Sequence, residues 1–335
     1  MKKKLLVIMM ALVLVLTACQ GQNAEQPTGN EGKDNTVETE GKTLKVGVVQ
    51  LMEHQSLDNT RDGFVDELKK SGLDVDVEIN NAQGEITNAK AIVDKYASDG
   101  VDLIYAIATP AAEAAMAATT TIPIVFSAVT DPVEAQLVES VEKPGGNITG
   151  ASDMVDVKNQ LALFKEINPD IKTIGIIYSA DESNSVQQVE SVEKIAPEVG
   201  LEVKKVSIHT LSDIPQATES IVGDIDGLYL LSDNKVSSST TVVTEIMNRE
   251  KVPVVATVEA DVNQGALISI GIDYTDLGSI AGQKALEILK DKKSPSEVPV
   301  YVPDKFAKII NVETLNTLGL DINAKVFEGA TPIGE

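Results

Sequence analysis

The segment Lys45–Gly63, KVGVVQLMEHQSLDNTRDG, decides the fold of this 335-residue chain. Its apolar start, 45–49, predicts a buried strand, and the polar residues 50–55 predict a loop. Ser56 is a good N-cap residue for a helix. Leu57 and Phe64 follow at intervals that place both on the core-facing side of that helix. Ligands of open α/β sheets collect at the carboxyl end of such a strand, in front of the next helix. The loop is therefore predicted to form one lip of a ligand cleft.

The same alternation of strand and helix continues along the chain. We predict strands at 45–49, 74–79, 102–108, 123–127, 148–151, 173–178, 201–206, 227–231, 252–256, 266–271 and 309–311. We predict helices from 56, at 85–98 and 111–118, from Asp131-Pro132, at 158–167, 183–196, 211–222, 237–249 and 275–289, and a last one ending at 318. This alternation requires parallel sheets with right-handed crossovers. The strands are too many for one sheet, which predicts an α/β fold with two doubly wound parallel-sheet lobes divided near 150–156.

The amino-terminal sequence indicates export from the cytoplasm. Lys2, Lys3 and Lys4 precede a short apolar stretch, 5–16, as in a signal peptide. The following Leu16-Thr-Ala-Cys19 resembles the lipobox of bacterial lipoproteins, in which the cysteine becomes the lipidated first residue. We therefore expect a signal peptide over 1–18, lipidation of Cys19 and a disordered tether over 19–42. The alternative is an ordinary signal peptide with an incidental cysteine.

Composition excludes several classes of function. The formal net charge is −23, and removal of three signal-peptide lysines makes it −26. So acidic a chain does not bind nucleic acid through its surface. A single cysteine allows no internal disulfide, and an extracytoplasmic location removes ATP and NAD(P)H as cofactors. With 3% aromatic residues and no Trp, the core must consist of Val, Ile, Leu and Ala.

Polar residues at the predicted strand ends are the candidates for ligand binding. Thr109 and Ser127 each follow a buried strand ahead of a helix, where a hydroxyl and free N–H groups suit a small carboxylate. Asp233 and Asp273 are the candidates to pair with an amine; Asp58 and Asp131 are the next choices. Leu51, Met52, Leu57 and Val129 could form the wall for an apolar side chain. For each polar residue the alternative role is a helix cap.

Catalytic and metal-binding sequence motifs are missing. The chain has two histidines, His54 and His209, so a metal cluster cannot be assembled from them, and His54 is interpreted as a hydrogen-bonding loop residue rather than a metal ligand or base. No nucleophile, phosphate or dinucleotide signature is present. Arg61 and Arg249 are the only arginines, which favours a zwitterionic or neutral ligand over a dianion. We predict neither enzyme activity nor a cofactor.

Several segments of residues 44–322 resemble those of bacterial ABC-transporter substrate-binding lipoproteins, in the group that binds tryptophan and related aromatic amino acids. In the first half they are Glu53-His-Gln-Ser-Leu-Asp58, Arg61-Asp-Gly-Phe64, Asn80-Asn-Ala-Gln-Gly84, Ala106-Ile-Ala-Thr-Pro-Ala111, Pro123-Ile-Val-Phe-Ser-Ala-Val-Thr-Asp-Pro132 and Pro144-Gly-Gly-Asn-Ile-Thr-Gly150. In the second half they are Gly175-Ile-Ile-Tyr178, Asn184-Ser185, Ser232-Asp-Asn234 and Gly271-Ile-Asp-Tyr274.

The resemblance implies the type I periplasmic-binding fold, in which a three-crossover hinge joins the lobes. The first lobe would comprise 43–152 and 275–297, and the second 153–274 and 298–322, with a tail at 323–335. The resemblance assigns ligand-binding roles to Gln50, Glu53, His54, Leu57, Thr109, Ser127, Ala128, Thr130, Asn184, Ser185, Asp233 and Asn234. Glu53 and His54 would act as hydrogen-bonding gate residues.

The implied function is delivery of a small zwitterion to an ABC permease by a lipid-anchored monomer. An aromatic amino acid such as tryptophan is the ligand that the resemblance favours. A receptor of the same fold that serves a signalling partner, and an importer component for another small solute, are the alternatives.

Overall fold

The computed structural model describes residues 43–334. The predicted signal peptide, Cys19 and the tether lie outside the described residues. Within the described part of the chain, no helix is both long and apolar enough to cross a membrane.

The first lobe is built on a five-stranded parallel sheet in the order β2-β1-β3-β4-β5. Its strands are β1 (Leu44–Gln50), β2 (Val75–Asn81), β3 (Leu103–Ile107), β4 (Ile124–Val129) and β5 (Ile148–Ser152). Its helices include α1 (Gln55–Lys70), α2 (Ile86–Asp99) and α3 (Thr109–Ala118). Strands β3, β4 and β5 are buried at every position, as expected for parallel strands covered on both faces, whereas the edge strand β2 is partly exposed.

The second lobe contains a seven-stranded sheet in the order β12-β11-β10-β9-β8-β6-β7. Its strands are β6 (Thr173–Ser179), β7 (Glu202–Ile208), β8 (Gly227–Leu230), β9 (Val254–Ala256), β10 (Ile268–Gly271), β11 (Ala307–Asn311) and β12 (Thr331–Ile333). Its helices are α4 (Val157–Ile167), α5 (Ser183–Ile195), α6 (Ile214–Ile221), α7 (Asn234–Ser237), α8 (Thr240–Arg249), α9 (Glu259–Asn263) and α11 (Val312–Leu318), whereas α10 (Tyr274–Leu289) follows β10 in the chain but packs in the first lobe. The sheet is mixed rather than wholly parallel, because β11 runs antiparallel to β10.

Helix α10 returns to the first lobe and packs closely against α1. A Cβ atom on Gly278 would lie 1.9 Å from the carbonyl oxygen of Thr60, and one on Gly63 would lie 2.1 Å from that of Thr275. Small residues at the crossing therefore allow the two backbones to touch. The chain crosses between the lobes after β5, after β10 and before β11. The α1–α10 contact also fixes the position of the β1–α1 loop at the cleft.

Three details of the predicted secondary structure are wrong. Asp131-Pro132 starts a turn rather than a helix, because Asp131 Oδ1 accepts from two following N–H groups and Gln136 takes a φ of +56°. Ser56 lies inside α1, whose N-cap is His54. The segment 323–334, predicted as a tail, contains β12 and two residues of the second lobe's core, Val326 and Phe327.

The predicted lobe boundary near 298 also differs from the structure. Val298 and Val300 pack in the core of the first lobe. The main chain of Tyr301 then bonds to β5, where it accepts from the N–H of Ser152 and donates to the carbonyl of Gly150. The chain therefore leaves the first lobe after Tyr301, close to where β5 ends.

Candidate ligand-binding site

A small cavity of about 20 Å³ lies between the lobes, where the carboxyl ends of the two sheets face each other. The residues that line it are His54, Ser56, Leu57, Ala128, Thr130, Asp153, Asn184, Ser232, Asp233, Asn234, Ser237, Val258 and Tyr274. Among these, within the described chain, there is no lysine or arginine. The cavity therefore carries acidic and neutral polar groups with a few apolar ones.

Asp153 is one of the two acids of the described chain that line this cavity, the other being Asp233. Asp153 is the first residue after β5, on the first connection between the lobes, and it is buried. Its Oδ2 accepts a 2.7 Å hydrogen bond from the Tyr274 hydroxyl, while its Oδ1 has no hydrogen-bond partner within residues 43–334. Burial raises the pKa of Asp153, although interactions with the Tyr274 hydroxyl, its own backbone N–H and the Thr130 hydroxyl oppose that rise. A buried carboxylate oxygen without a partner is unfavourable until a cation or donor arrives.

Several helices begin at this edge of the sheets without a side-chain cap. Among them are α1 and α3 in the first lobe and α5 in the second. Uncapped N-termini carry free N–H groups and partial positive charge, which favour an anion. Among the described residues, the buried hydroxyls of Thr109 on α3 and Ser185 on α5 have no partner.

The wall contributed by the second lobe contains a network of buried acids. Asp233 Oδ1 accepts from the Ser179 hydroxyl and from the N–H of Val236, and its Oδ2 accepts from the N–H of Ser179. Glu182 lies beside it and accepts a 2.5 Å hydrogen bond from Asn234 Nδ2. Burial, together with the charge of Asp233, raises the pKa of Glu182 to about 8. Asp233 therefore caps α7 and bonds to Ser179 at the end of β6, so both of its carboxylate oxygens already have partners.

The raised pKa of Glu182 predicts that the free energy of unfolding falls with rising pH. The folded state holds this proton up to about pH 8, whereas the unfolded chain releases it near 4.5, so the stabilisation present at low pH is lost between these values. Raising the pH from 6 to 8.5 should lower the free energy of unfolding by about 2 kcal/mol. Glu182→Gln should flatten this slope in urea titrations. Glu198→Gln, at an exposed surface pair, should leave the slope unchanged.

Contacts across the cavity hold the lobes together. His54 Nε2 lies 3.5 Å from Asn234 Oδ1, and the Ser183 hydroxyl donates a 2.6 Å bond to Glu113. Gln187 Nε2 donates to the carbonyl oxygen of Glu134. Each of these bonds joins a first-lobe residue to a second-lobe residue, so the cleft is closed.

The structure places some predicted site residues in the cavity and others elsewhere. Those that line it are His54, Leu57, Ala128, Thr130, Asn184, Asp233 and Asn234. Those that do not line it are Gln50, Glu53, Asp58, Thr109, Ser127, Ser185 and Asp273. Ala128 lies at an irregularity in the β4–β5 pairing and has a φ of +54°, which turns the chain toward the cavity.

Several predicted site residues that do not line the cavity form hydrogen bonds elsewhere in the protein. The Ser127 hydroxyl lies 2.5 Å from the Tyr105 hydroxyl in the core, and Gln50 and Asp58 bond to each other and to Arg61. Asp273 is an exposed N-cap that accepts from the N–H groups of two residues in the first turn of α10. Glu53 is exposed. The expectations that Ser127 binds a carboxylate and Asp273 an amine are therefore not supported by their positions.

Six cavity residues had been assigned no ligand-binding role from the sequence, namely Ser56, Asp153, Ser232, Ser237, Val258 and Tyr274. Asp153 lies two residues after a predicted strand, 148–151, so the rule that ligands bind at strand ends would have found it. The Tyr274–Asp153 bond joins residues 121 positions apart, and no local pattern indicates it.

A family model described as ABC transporter substrate binding protein matches residues 45–333. The chain belongs to this family. A related tyrosine-binding protein from Clostridioides difficile (strain R20291) is 43% identical over 326 residues, which cover 95% of this chain and 93% of the relative.

Two solved structures show which conformation this substrate-binding protein resembles. The ABC domain from Streptococcus pneumonia in complex with L-Trp is 32% identical and superposes with a TM-score of 0.83. A second structure is the ligand-free, open structure of a substrate binding protein with adhesive properties from Clostridium difficile. It is 41% identical to this chain but superposes with a lower TM-score, 0.66. Both alignments cover 87% of this chain and 99% of the other. The lower score at higher identity agrees with a closed arrangement of the lobes here.

Proposed function

We propose that this substrate-binding protein captures an aromatic L-amino acid between its lobes and delivers it to an ABC permease. The observation that carries the proposal is the unpartnered Oδ1 of Asp153 in a closed cavity to which the described chain contributes no cationic side chain. Such an oxygen suits a ligand ammonium group. The names of a tyrosine-binding relative and of an L-Trp complex support the ligand class.

The ligand carboxylate would bind at the uncapped helix N-termini. Ser56 and Leu57 place the first turn of α1 at the cavity, and Asn184 places that of α5 there. The unpartnered hydroxyl of Thr109, which begins α3, is a further donor close to this edge of the sheet. Free N–H groups and hydroxyls can bind a carboxylate without an arginine, which agrees with the scarcity of arginine in this chain.

The apolar part of the ligand would contact the apolar members of the cavity wall. These are Leu57 and Ala128 from the first lobe, Val258 from the second and the ring of Tyr274 at the hinge. A phenol or indole ring is flat and can lie against such side chains.

The cellular setting that we propose follows from the amino-terminal sequence. A signal peptide over 1–18 and lipidation of Cys19 would leave the lobes outside the cytoplasm on a tether of about two dozen residues. A flexible tether of that length spans roughly 25 Å on average. In this setting the protein acts as a monomer, and it binds and releases its ligand without changing it chemically.

A thermal-shift screen of the purified protein against the twenty amino acids tests this function. We expect the largest increase in Tm with an aromatic amino acid, because at equal concentration the ligand that binds the folded state most tightly stabilises it most. Tyramine, which lacks the carboxylate, and N-acetyltyrosine, which lacks the amine, are matched controls and should give much smaller shifts. A screen in which no amino acid raises the Tm would contradict the proposal.

A further inference from the structure

We infer that Glu113 and Ser183 are positioning residues that form a clasp across the cleft and slow the release of the bound amino acid. This inference rests on the proposed function, because the clasp retains a ligand that the lobes have enclosed. Neither residue lines the ligand cavity, so the clasp acts on the lobes rather than on the ligand.

The bond between these two residues joins helices of different lobes. The hydroxyl of Ser183, the first residue of α5, donates to Glu113 Oε1 on α3 at 2.6 Å. The hydrogen bonds that Gln187 and His54 form across the cleft are longer, at 3.3 and 3.5 Å, and neither includes a carboxylate. Hydrogen bonds to an ionised group are about twice as strong as those between neutral groups. Of these three bonds, the one between Ser183 and Glu113 should therefore contribute most to holding the lobes together.

Glu113 is an unusual residue in the sequence of α3. The helix reads TPAAEAAMAA over Thr109–Ala118, and Glu113 is its single charged residue. The positions three and four residues away on α3 hold no basic side chain, so the helix itself provides no ion pair for this carboxylate. The hydroxyl of Ser183, from the other lobe, is the partner that the fold supplies.

The N-terminus of α5 is a favourable place for that carboxylate. Helix α5 has no acidic residue in its first turn and no side-chain cap, and its N-cap residue, Glu182, bonds to Asn234 instead. The raised pKa of Glu182 keeps it uncharged at neutral pH. The free N–H groups of the first turn carry partial positive charge, which attracts an anion. Closure brings Glu113 to this end of α5, so the first lobe supplies the negative charge that the helix lacks.

A second contact on the same side of α5 supports the clasp. Gln187 lies one turn after Ser183, so the two side chains project from neighbouring positions on the helix surface. Gln187 Nε2 donates to the carbonyl oxygen of Glu134, in the turn that follows β4. Helix α5 therefore reaches the first lobe at two separate segments. Because Ser183 precedes Asn184, which lines the ligand cavity, separation of α5 from the first lobe would open that wall of the cavity.

The clasp can act only while the lobes are closed. Glu113 and Ser183 belong to different lobes, so opening separates them and returns both groups to water. An amino acid enters the open form, and loss of the clasp should therefore have little effect on association. The bound amino acid leaves after the lobes open, so loss of the clasp should speed dissociation.

Surface plasmon resonance with L-tyrosine and L-tryptophan on the immobilised protein measures both rate constants. We expect Ser183→Ala and Glu113→Ala each to raise the dissociation rate constant about tenfold, because each removes one partner of a hydrogen bond to a charged group. The association rate constants should stay close to that of wild type. The double variant should dissociate no faster than either single variant, because both substitutions remove the same bond.

Glu193→Ala is the matched control. It removes an acid of α5 that pairs with Lys205 within the second lobe, so both rate constants should equal those of wild type. Unchanged dissociation in both single variants would overturn the clasp alone, and so would a double variant in which the two effects multiply. A fall in the Tm of the ligand-free variants, with changes in both rate constants, would show a structural role and also overturn it. Absence of binding of both amino acids to wild type would instead overturn the proposed function, and the clasp with it.

Discussion

Asp153→Asn is expected to weaken binding of the aromatic amino acid at least 100-fold at pH 7.5. The substitution keeps the shape of the side chain and its ability to accept from the Tyr274 hydroxyl, but it removes the charge that would pair with the ligand ammonium group. Loss of one partner of a buried charge pair usually costs about 3–5 kcal/mol, and 100-fold corresponds to about 2.8 kcal/mol. Isothermal titration calorimetry measures the difference directly.

Asp273→Asn is the matched control, because Asp273 was the alternative partner for the amine. Its carboxylate caps α10 from an exposed position outside the cavity, and asparagine is an equally good cap. We expect affinity within twofold of wild type. A large loss in Asp273→Asn together with wild-type affinity in Asp153→Asn would show that the amine binds elsewhere.

Gly278→Val is expected to lower the free energy of unfolding by more than about 3 kcal/mol. A Cβ at this position would meet the Thr60 carbonyl oxygen at 1.9 Å, so α1 and α10 must separate. Overpacking against side chains costs typically about 1–3 kcal/mol, and a rigid backbone neighbour cannot move aside as a side chain can. Urea unfolding measures the change. Separation of these helices would also displace both the β1–α1 loop and Tyr274 from the cavity.

Gly146→Val provides the control for this substitution. A Cβ on Gly146 has no heavy atom within 4 Å in the described structure, and its backbone does not require glycine. We expect its unfolding midpoint to remain close to that of wild type. Equal midpoints for Gly278→Val and wild type would contradict the close helix crossing.

The lobes were predictable from sequence because parallel strands buried on both faces appear as short apolar runs. Leu103–Ile107 is such a run, and it is buried throughout. The β1–α1 loop was correctly placed at the cleft because ligands bind at strand ends, and His54 and Leu57 line the cavity there. The local pattern of apolar and polar residues was sufficient to predict these elements.

Partners that are distant in sequence were not predictable. Ser127 has the hydroxyl and the strand-end position expected of a site residue, but this hydroxyl is hydrogen-bonded to that of Tyr105 on the neighbouring strand. Asp233 and Asp153 are both acids at strand ends, and only the packing shows that the first is fully bonded and the second has an unpartnered oxygen. Which acid remains available for the ligand depends on side-chain hydrogen bonds between residues distant in sequence. Such bonds leave no periodic pattern in the amino-acid sequence.

The central claim is that the closed cavity binds an aromatic amino acid through its charged α-amino and carboxylate groups. Isothermal titration calorimetry of the wild-type protein with L-tyrosine and L-tryptophan tests it most directly. We predict saturable binding at one site per chain for at least one of them, and no measurable heat of binding with N-acetyltyrosine. Flat titrations with both amino acids, or equal affinity for the acetylated compound, would contradict the claim.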